Sequence, residues 1–248
     1  MNNILLVQKK FILTAAVMAA TLAATTASAQ SSLLDEVQSG SNYKNTNFNA
    51  QVYQIDDDYD TVAAFTANVQ VNDALRMSAQ LDTEGYMEVS AGYGFAFNNG
   101  IYLEPYANYG KTDFLDIYSL GAFSGLAITE KLMMFADVSH QWRNGRDIGD
   151  VYDASSSNQR ELLTAIGASY DLLDSLNASY TFHYDNVIED GGMKNESDSR
   201  TSHEINLTYS GFGRFEPYVQ YTTGEYRVSE GAQVSNEESV EFGFNYRF

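Results

Sequence analysis

Large apolar residues recur at every second position along most of this chain, and the pattern is clearest at its C-terminal end. From Ser239 to Phe248 polar or small residues alternate with large apolar ones, which are Val240, Phe242, Phe244, Tyr246 and Phe248. Because successive side chains of a β-strand point to opposite faces, this period predicts a strand with one apolar and one polar face. The two faces of such a strand meet different environments.

Runs of the same alternation, separated by turn residues, predict an all-β chain of about twelve strands, with ten or fourteen as alternatives. Most runs are about 9–12 residues long, the length that a tilted strand needs to cross the hydrocarbon layer of a membrane. The runs lie near residues 46–55, 60–71, 75–83, 86–97, 101–110, 116–128, 132–142, 159–170, 176–185, 201–209, 216–226 and 238–248.

The connections between these runs alternate in length. Every second connection is a short turn, such as Asn98-Asn99-Gly100, whereas the three longest connections, 143–158, 186–200 and 227–237, all belong to the other set. Tight reversals of this kind predict antiparallel hairpins. Short turns on one rim and longer loops on the other are typical of transmembrane β-barrels, and an even strand number places both chain ends on one rim.

A soluble β-sandwich would have the same period, so the composition of the two faces must decide between the alternatives. The proposed outer face is apolar and nearly free of charge: Met87, Val89, Ala91, Tyr93, Phe95, Phe97, Ile101, Leu103, Leu120, Leu126, Ile205 and Leu207. Aromatic residues gather near the strand ends, at Tyr53, Tyr59, Tyr109, Tyr118, Trp142, Tyr184 and Tyr221 on the long-loop side and at Phe97, Tyr170, Phe215, Tyr246 and Phe248 on the other. Two aromatic belts around an aliphatic band favour a bilayer.

The final strand, which ends on an aromatic residue, resembles the closing strand of bacterial outer-membrane β-barrels. This resemblance implies that Phe248, Tyr246 and Phe244 form the signal read by the barrel-assembly machinery. The predicted strand number is similar to that of the small, about 12-stranded porins and channels. Channels of this group for acidic oligosaccharides are lined with basic residues, a pattern from which this chain departs.

The first 29 residues have the organisation of a cleaved signal peptide. Lys9 and Lys10 precede an apolar segment from Phe11 to about Leu22, and an A-x-A site ends at Ala29. We therefore divide the chain into a signal peptide (1–29), a periplasmic N-terminal segment (30–45) that is either a flexible lead or a plug inside the barrel, and a barrel (46–248). Without cysteine the chain has neither a disulfide nor a lipid-anchor site.

The chain is acidic, which narrows its partners. It carries 33 acidic and 14 basic residues, a formal net charge of −19 that becomes −21 when the signal peptide, with its two lysines, is removed. Nucleic acid is excluded as a partner because its phosphates need a positive surface. We expect small solutes or cations, outer-membrane lipid and lipopolysaccharide as the partners of a monomer, and no cofactor.

The candidate pore-lining residues are the charged residues of the polar face. Acidic residues outnumber basic ones in this set, which comprises Arg76, Asp82, Glu88, Glu104, Asp137, Glu161, His183, Asp185, Glu204, Glu241 and Arg247. Carboxylates in a confined space favour cations, so the set predicts a narrow, cation-preferring channel and makes an anionic sugar an improbable solute. The alternative is an interior filled by side chains and closed by carboxylate–arginine pairs.

Other functional classes find weaker support. Outer-membrane lipid esterases have an architecture similar to the one predicted here, and their signature is H-x-S-N. In this chain Trp142 stands where the nucleophilic serine should follow His140, and Ser139 points inward. We therefore expect no catalytic residues, because the histidine has no aligned nucleophile to activate. Acidic runs in the loops, at Asp56-Asp57-Asp58, Asp60, Asp147, Asp150 and Asp153, match no calcium loop and predict no defined metal site. An adhesive barrel that presents loops 143–158 and 186–200 remains an alternative to the channel.

Overall fold

Strands account for most of the residues that the structure describes. The computed structural model describes residues 46–55, 60–98, 100–145, 158–189, 199–227, 234–236 and 238–248. Twelve of its strands are long, and β5, β13 and β14 have two residues each: β1 (Asn47–Ile55), β2 (Asp60–Gln70), β3 (Leu75–Asp82), β4 (Met87–Tyr93), β5 (Phe95–Ala96), β6 (Ile101–Lys111), β7 (Leu115–Ala127), β8 (Leu132–Gly145), β9 (Gln159–Leu173), β10 (Leu176–Glu189), β11 (Ser199–Tyr209), β12 (Phe215–Gly224), β13 (Tyr226–Arg227), β14 (Val234–Ser235) and β15 (Ser239–Arg247).

The long strands form one closed antiparallel barrel. Each strand pairs with its neighbours in the chain, β5 continues β4 along β6, and β15 pairs with both β12 and β1. The pairing of β1 with β15 closes the sheet, so the predicted twelve-stranded antiparallel barrel is confirmed. No helix among the described residues is long and apolar enough to cross a membrane.

The two rims of the barrel differ. Both ends of the described chain lie on the rim that carries the short turns, which we call the terminal rim; there the amide of Phe248 donates to the carbonyl of Thr46 (3.0 Å). The other rim, the loop rim, carries the connections 146–158, 190–198 and 225–238. The predicted signal peptide, the 30–45 segment and Tyr59 lie outside the described residues.

Four strands extend two residues or more beyond their predicted ends at one rim or the other. At the loop rim β8 runs to Gly145, β10 to Glu189, and β11 begins at Ser199 instead of residue 201; at the terminal rim β9 runs to Leu173. The added loop-rim residues are mostly polar, which is why the sequence suggested loops, but they continue the ladder: Arg143 pairs with Gln159 and Asp185 with Arg200. The loop-rim wall is consequently taller than predicted.

The apolar face points outward around the barrel. Exposed fractions of 55% for Val89, 57% for Leu120 and 64% for Phe242 are those expected of side chains that meet lipid. The prediction for Tyr53 is wrong, because this side chain is 3% exposed and packs inside the barrel against Val62 and Ala64. Strand alternation explains the error: Tyr53 shares the inner face of β1 with Asn47, Asn49 and Gln51.

Candidate functional site

A cavity of about 620 Å³ lies inside the barrel. Strands from nearly the whole circumference contribute to its wall, which also includes Tyr226 and Arg227 of β13. Six carboxylates line it: Glu88, Asp137, Glu161, Asp185, Glu204 and Glu241. Among the lining residues in the described part of the chain, Arg227 is the only arginine or lysine, and His183 is the only histidine.

Seven of the eleven predicted pore-lining residues border this cavity: Glu88, Asp137, Glu161, His183, Asp185, Glu204 and Glu241. The other four lie elsewhere on the inner face. Glu104 is 9% exposed and lies 3.6 Å from Arg76, whereas Arg247 pairs with Glu216 (2.6 Å) at the terminal rim. Asp82 accepts hydrogen bonds from the amides of Glu84 and Tyr86 (2.9 Å each) and so caps a loop-rim turn.

A repeated three-residue unit positions four of the inner carboxylates. In each unit a tyrosine ring lies across an inward-facing glycine of a neighbouring strand, and its hydroxyl donates a hydrogen bond to a carboxylate. A Cβ atom on any of these glycines would lie 2.4–2.5 Å from the tyrosine. The units are Tyr86, Gly110 and Glu88; Tyr102, Gly94 and Glu104; Tyr106, Gly121 and Asp137; and Tyr218, Gly243 and Glu241.

The units keep bulky rings out of the centre of the barrel. Because glycine lacks a side chain, the ring can lie flat on the adjacent strand, and the hydroxyl then reaches a carboxylate without crossing the cavity. The oxygen–oxygen distance is 2.7 Å for Tyr106 with Asp137 and for Tyr218 with Glu241, which is normal for an O–H···O hydrogen bond. Each such bond fixes the position of a carboxyl group at the wall.

A basic cluster at the loop rim was missed by the sequence analysis. Arg76 and Arg247 are the only arginines in the predicted pore-lining set, but Arg143, Arg200 and Arg227 also point inward. The first two belong to the strand extensions described above, and Arg227 follows a bend at Gly224. Strand alternation carried beyond residues 142 and 201 would have found Arg143 and Arg200, but no local signal indicates the position of Arg227.

Glu161 is the centre of this cluster. Its carboxylate is fully buried and accepts hydrogen bonds from Arg200 (2.8 Å) and from Arg227 (3.0 Å to each oxygen). Arg227 also donates to the side-chain oxygen of Gln159 (3.2 Å), and Arg143 donates to that of Gln141 (3.2 Å). Two guanidinium groups therefore share one carboxylate at the entrance of the cavity.

The inner wall toward the terminal rim of β6–β8 carries an apolar cluster. Tyr102, Met133 and Phe135 are buried there with Phe123 packed against them, and the ring centroids of Phe123 and Phe135 lie 6.2 Å apart. This cluster corrects the expectation that the inner face is polar along its whole length. Phe123 and Phe135 also line the cavity.

His140 and Trp142, considered above for an esterase, lie together on the outer face, with ring centroids 4.3 Å apart. Ser139 faces inward and is buried. The described residues contain no group of three or more histidine or acidic side chains that could hold a metal ion, and the acidic runs at 56–58 and 147–153 lie outside them.

The barrel has the fold of outer-membrane channels in solved structures. It matches the NanC porin with a TM-score of 0.67 at 11% identity, over 81% of this chain and 100% of that one. It matches the KdgM porin at 0.58 and 15% identity (82% and 99% covered), and an outer-membrane channel from Pseudomonas putida F1 at 0.57 and 11% identity (83% and 96% covered). No protein-family model and no curated protein matches the chain. At these identities the likeness concerns the fold.

Proposed function

We propose that this protein is a passive channel of the bacterial outer membrane that admits small solutes and prefers cations. The observation that carries the proposal is the cavity inside the closed barrel, whose wall holds six carboxylates and, among the described lining residues, one arginine. Carboxylates at close quarters lower the electrostatic energy of a cation and raise that of an anion. The protein has no catalytic role in this proposal.

The location follows from the same barrel. A closed sheet leaves no unpaired strand edge, and an apolar outer face can meet hydrocarbon. The signal peptide supplies export across the inner membrane, and the last strand with Phe248 supplies recognition by the assembly machinery. The chain acts as a monomer among outer-membrane lipids and lipopolysaccharide.

The charge of the lining distinguishes this channel from one for acidic sugars. One of the solved neighbours is a KdgM porin in complex with disordered oligogalacturonate, with a TM-score of 0.59 at 14% identity. Oligogalacturonate is a polyanion, which the carboxylates of this cavity would repel. Inorganic cations and small neutral or cationic solutes fit the wall better.

A second candidate function is a non-conducting barrel that presents its loops to other molecules. The apolar cluster of Tyr102, Met133 and Phe135 favours it, because packed apolar side chains on the inner wall leave less room for water. A channel requires that ions pass beside this cluster.

Recording from the refolded protein in planar bilayers tests both candidates. We expect unitary current steps and, in a KCl gradient, a reversal potential that indicates cation preference. Asp137→Asn combined with Glu204→Gln and Glu241→Gln should move the reversal potential toward zero, whereas Asp174→Asn, on a fully exposed turn residue of the terminal rim, should not. A silent barrel would favour the second candidate, and an unchanged reversal potential would exclude these carboxylates as the origin of selectivity.

A further inference from the structure

The chain bends inward where β12 ends. Gly224 has a φ of 105°, in the left-handed region, and a Cβ there would lie 2.4 Å from the carbonyl oxygen of Thr201. Just after the bend the amide of Glu225 donates to the same carbonyl (2.9 Å). Tyr226 and Arg227 thus lie outside the sheet of the barrel and line the cavity.

These two residues form one side of the small β13–β14 pair, in which Tyr226 faces Ser235 and Arg227 faces Val234. We call this pair the strap. It follows β12 in the chain, but Arg227 contacts Glu161 and Gln159 on β9, so that its side chain reaches past β10 and β11 at the loop rim.

The contact that Arg227 makes with β9 is strong for a side chain at the mouth of a barrel. One guanidinium nitrogen of Arg227 lies 3.0 Å from both oxygens of Glu161, and the other donates to Gln159. The side chains of Arg227 and Glu161 are 7% and 0% exposed. Charge-assisted hydrogen bonds of this geometry are stronger than neutral ones and are little screened when buried.

The strap also changes the charge along the barrel. At the loop rim Arg143, Arg200 and Arg227 lie near Glu161 and Asp185, which leaves an excess of one positive charge among these five residues. Deeper in the cavity the lining carboxylates are Glu88, Asp137, Glu204 and Glu241. Between these two groups of residues the sign of the net charge therefore changes from positive at the loop rim to negative deeper in the cavity.

We propose that Arg227 is the specificity-determining residue of this entrance: bound to Glu161, it holds the strap across the mouth and sets the size and charge of the solutes that pass. The inference rests on the proposed channel function. Release of Arg227 would widen the mouth and remove one positive charge from it, so that conductance and cation preference would rise together.

Single-channel recording on the full-length protein tests the proposal. Arg227→Gln should raise conductance by about 1.5-fold or more and shift the reversal potential toward stronger cation preference. Arg227→Lys keeps the charge but loses the fork that spans Glu161 and Gln159, so it should raise conductance with little change in selectivity. The matched control is Arg160→Gln: Arg160 precedes Glu161 on β9 but is exposed and pairs with Glu189 (3.1 Å).

A second measurement does not depend on conduction. The chain has no cysteine, so Ser235→Cys creates a unique site for a spin label on β14. The label should be immobile when Arg227 is present and in the Arg160→Gln background, and mobile in the Arg227→Gln background.

The possible failures are distinguishable. Equal label mobility in all backgrounds would overturn the proposal that Arg227 holds the strap in place, whether or not the barrel conducts. A conducting barrel in which Arg227→Gln and Arg160→Gln behave alike would overturn the role of Arg227 alone. A wild-type barrel that does not conduct would overturn the proposed channel function and, with it, the proposed role of Arg227 in specificity.

Discussion

Replacing Gly121 with alanine should destabilise the barrel, because the new methyl group would occupy space that Tyr106 fills. Its Cβ would lie 2.5 Å from Cζ of Tyr106 and 2.7 Å from Cβ of Ser139. Carbon atoms in contact are usually about 3.5–4.0 Å apart, so these neighbours must move by about 1 Å. Overpacking of this kind costs about 1–3 kcal/mol. The displaced ring would also weaken the hydrogen bond to Asp137, for a total loss of about 2–4 kcal/mol.

Gly125 provides a matched control on the same strand. A Cβ there would find its nearest neighbour, Cε1 of Phe123, at 3.6 Å, which is ordinary contact. Gly125→Ala should therefore change the free energy of unfolding by less than about 0.5 kcal/mol. Both variants can be unfolded with denaturant in lipid vesicles while the emission of Trp142, the single tryptophan, is followed.

The combination with Tyr106→Ala tests the cause. Without the ring the methyl group of Gly121→Ala meets less steric conflict, so the double variant should be more stable than the sum of the single effects predicts, by about 1 kcal/mol or more. Equal midpoints for Gly121→Ala and Gly125→Ala, or strictly additive effects, would refute the argument that the ring needs the glycine.

Three further predictions concern other parts of the barrel. Arg200→Met removes a charge-assisted hydrogen bond from the buried Glu161, which keeps Arg227, and should cost about 1.5–3 kcal/mol in the same unfolding assay, whereas Arg160→Met on an exposed pair should cost less than about 1 kcal/mol. Tyr218→Phe removes the hydroxyl that donates to Glu241 and should lower the unfolding free energy by about 1–3 kcal/mol; stability equal to wild type would show that this bond is dispensable. Deletion of Phe248 should reduce the amount of heat-modifiable barrel assembled in cells but leave refolding in detergent nearly intact; equal loss in both would contradict its role as an assembly signal.

The sequence was sufficient for the architecture because a strand between lipid and water imposes a strict period on its residues. The strands near 132–142 and 176–185 were located correctly, but both extend further in the structure. The sequence did not indicate the extensions, because polar residues such as Arg143 and Asn186 fit the barrel wall as well as a loop. Tyr53 was assigned to the wrong face because an aromatic residue near a strand end fits either a membrane belt or the interior.

The candidate site was less predictable, because its main features depend on neighbouring strands. The sequence indicated that Tyr106, Gly121 and Asp137 belong to strands, but only the register brings Gly121 beside Tyr106 and Ser139. The position of Arg227 depends on a backbone turn at Gly224 and on a partner 66 residues away. Neither relation leaves a periodic signal in the chain.

The seam between β1 and β15 has a consequence for biogenesis. The first strand finds its second partner only in the last strand, with pairs from Asn47–Arg247 to Tyr53–Glu241. A ribosome-bound chain that lacks its final residues therefore has no way to complete the cylinder, and it would expose two open edges to any other extended polypeptide. Closure of the barrel therefore has to wait until both β1 and β15 are present.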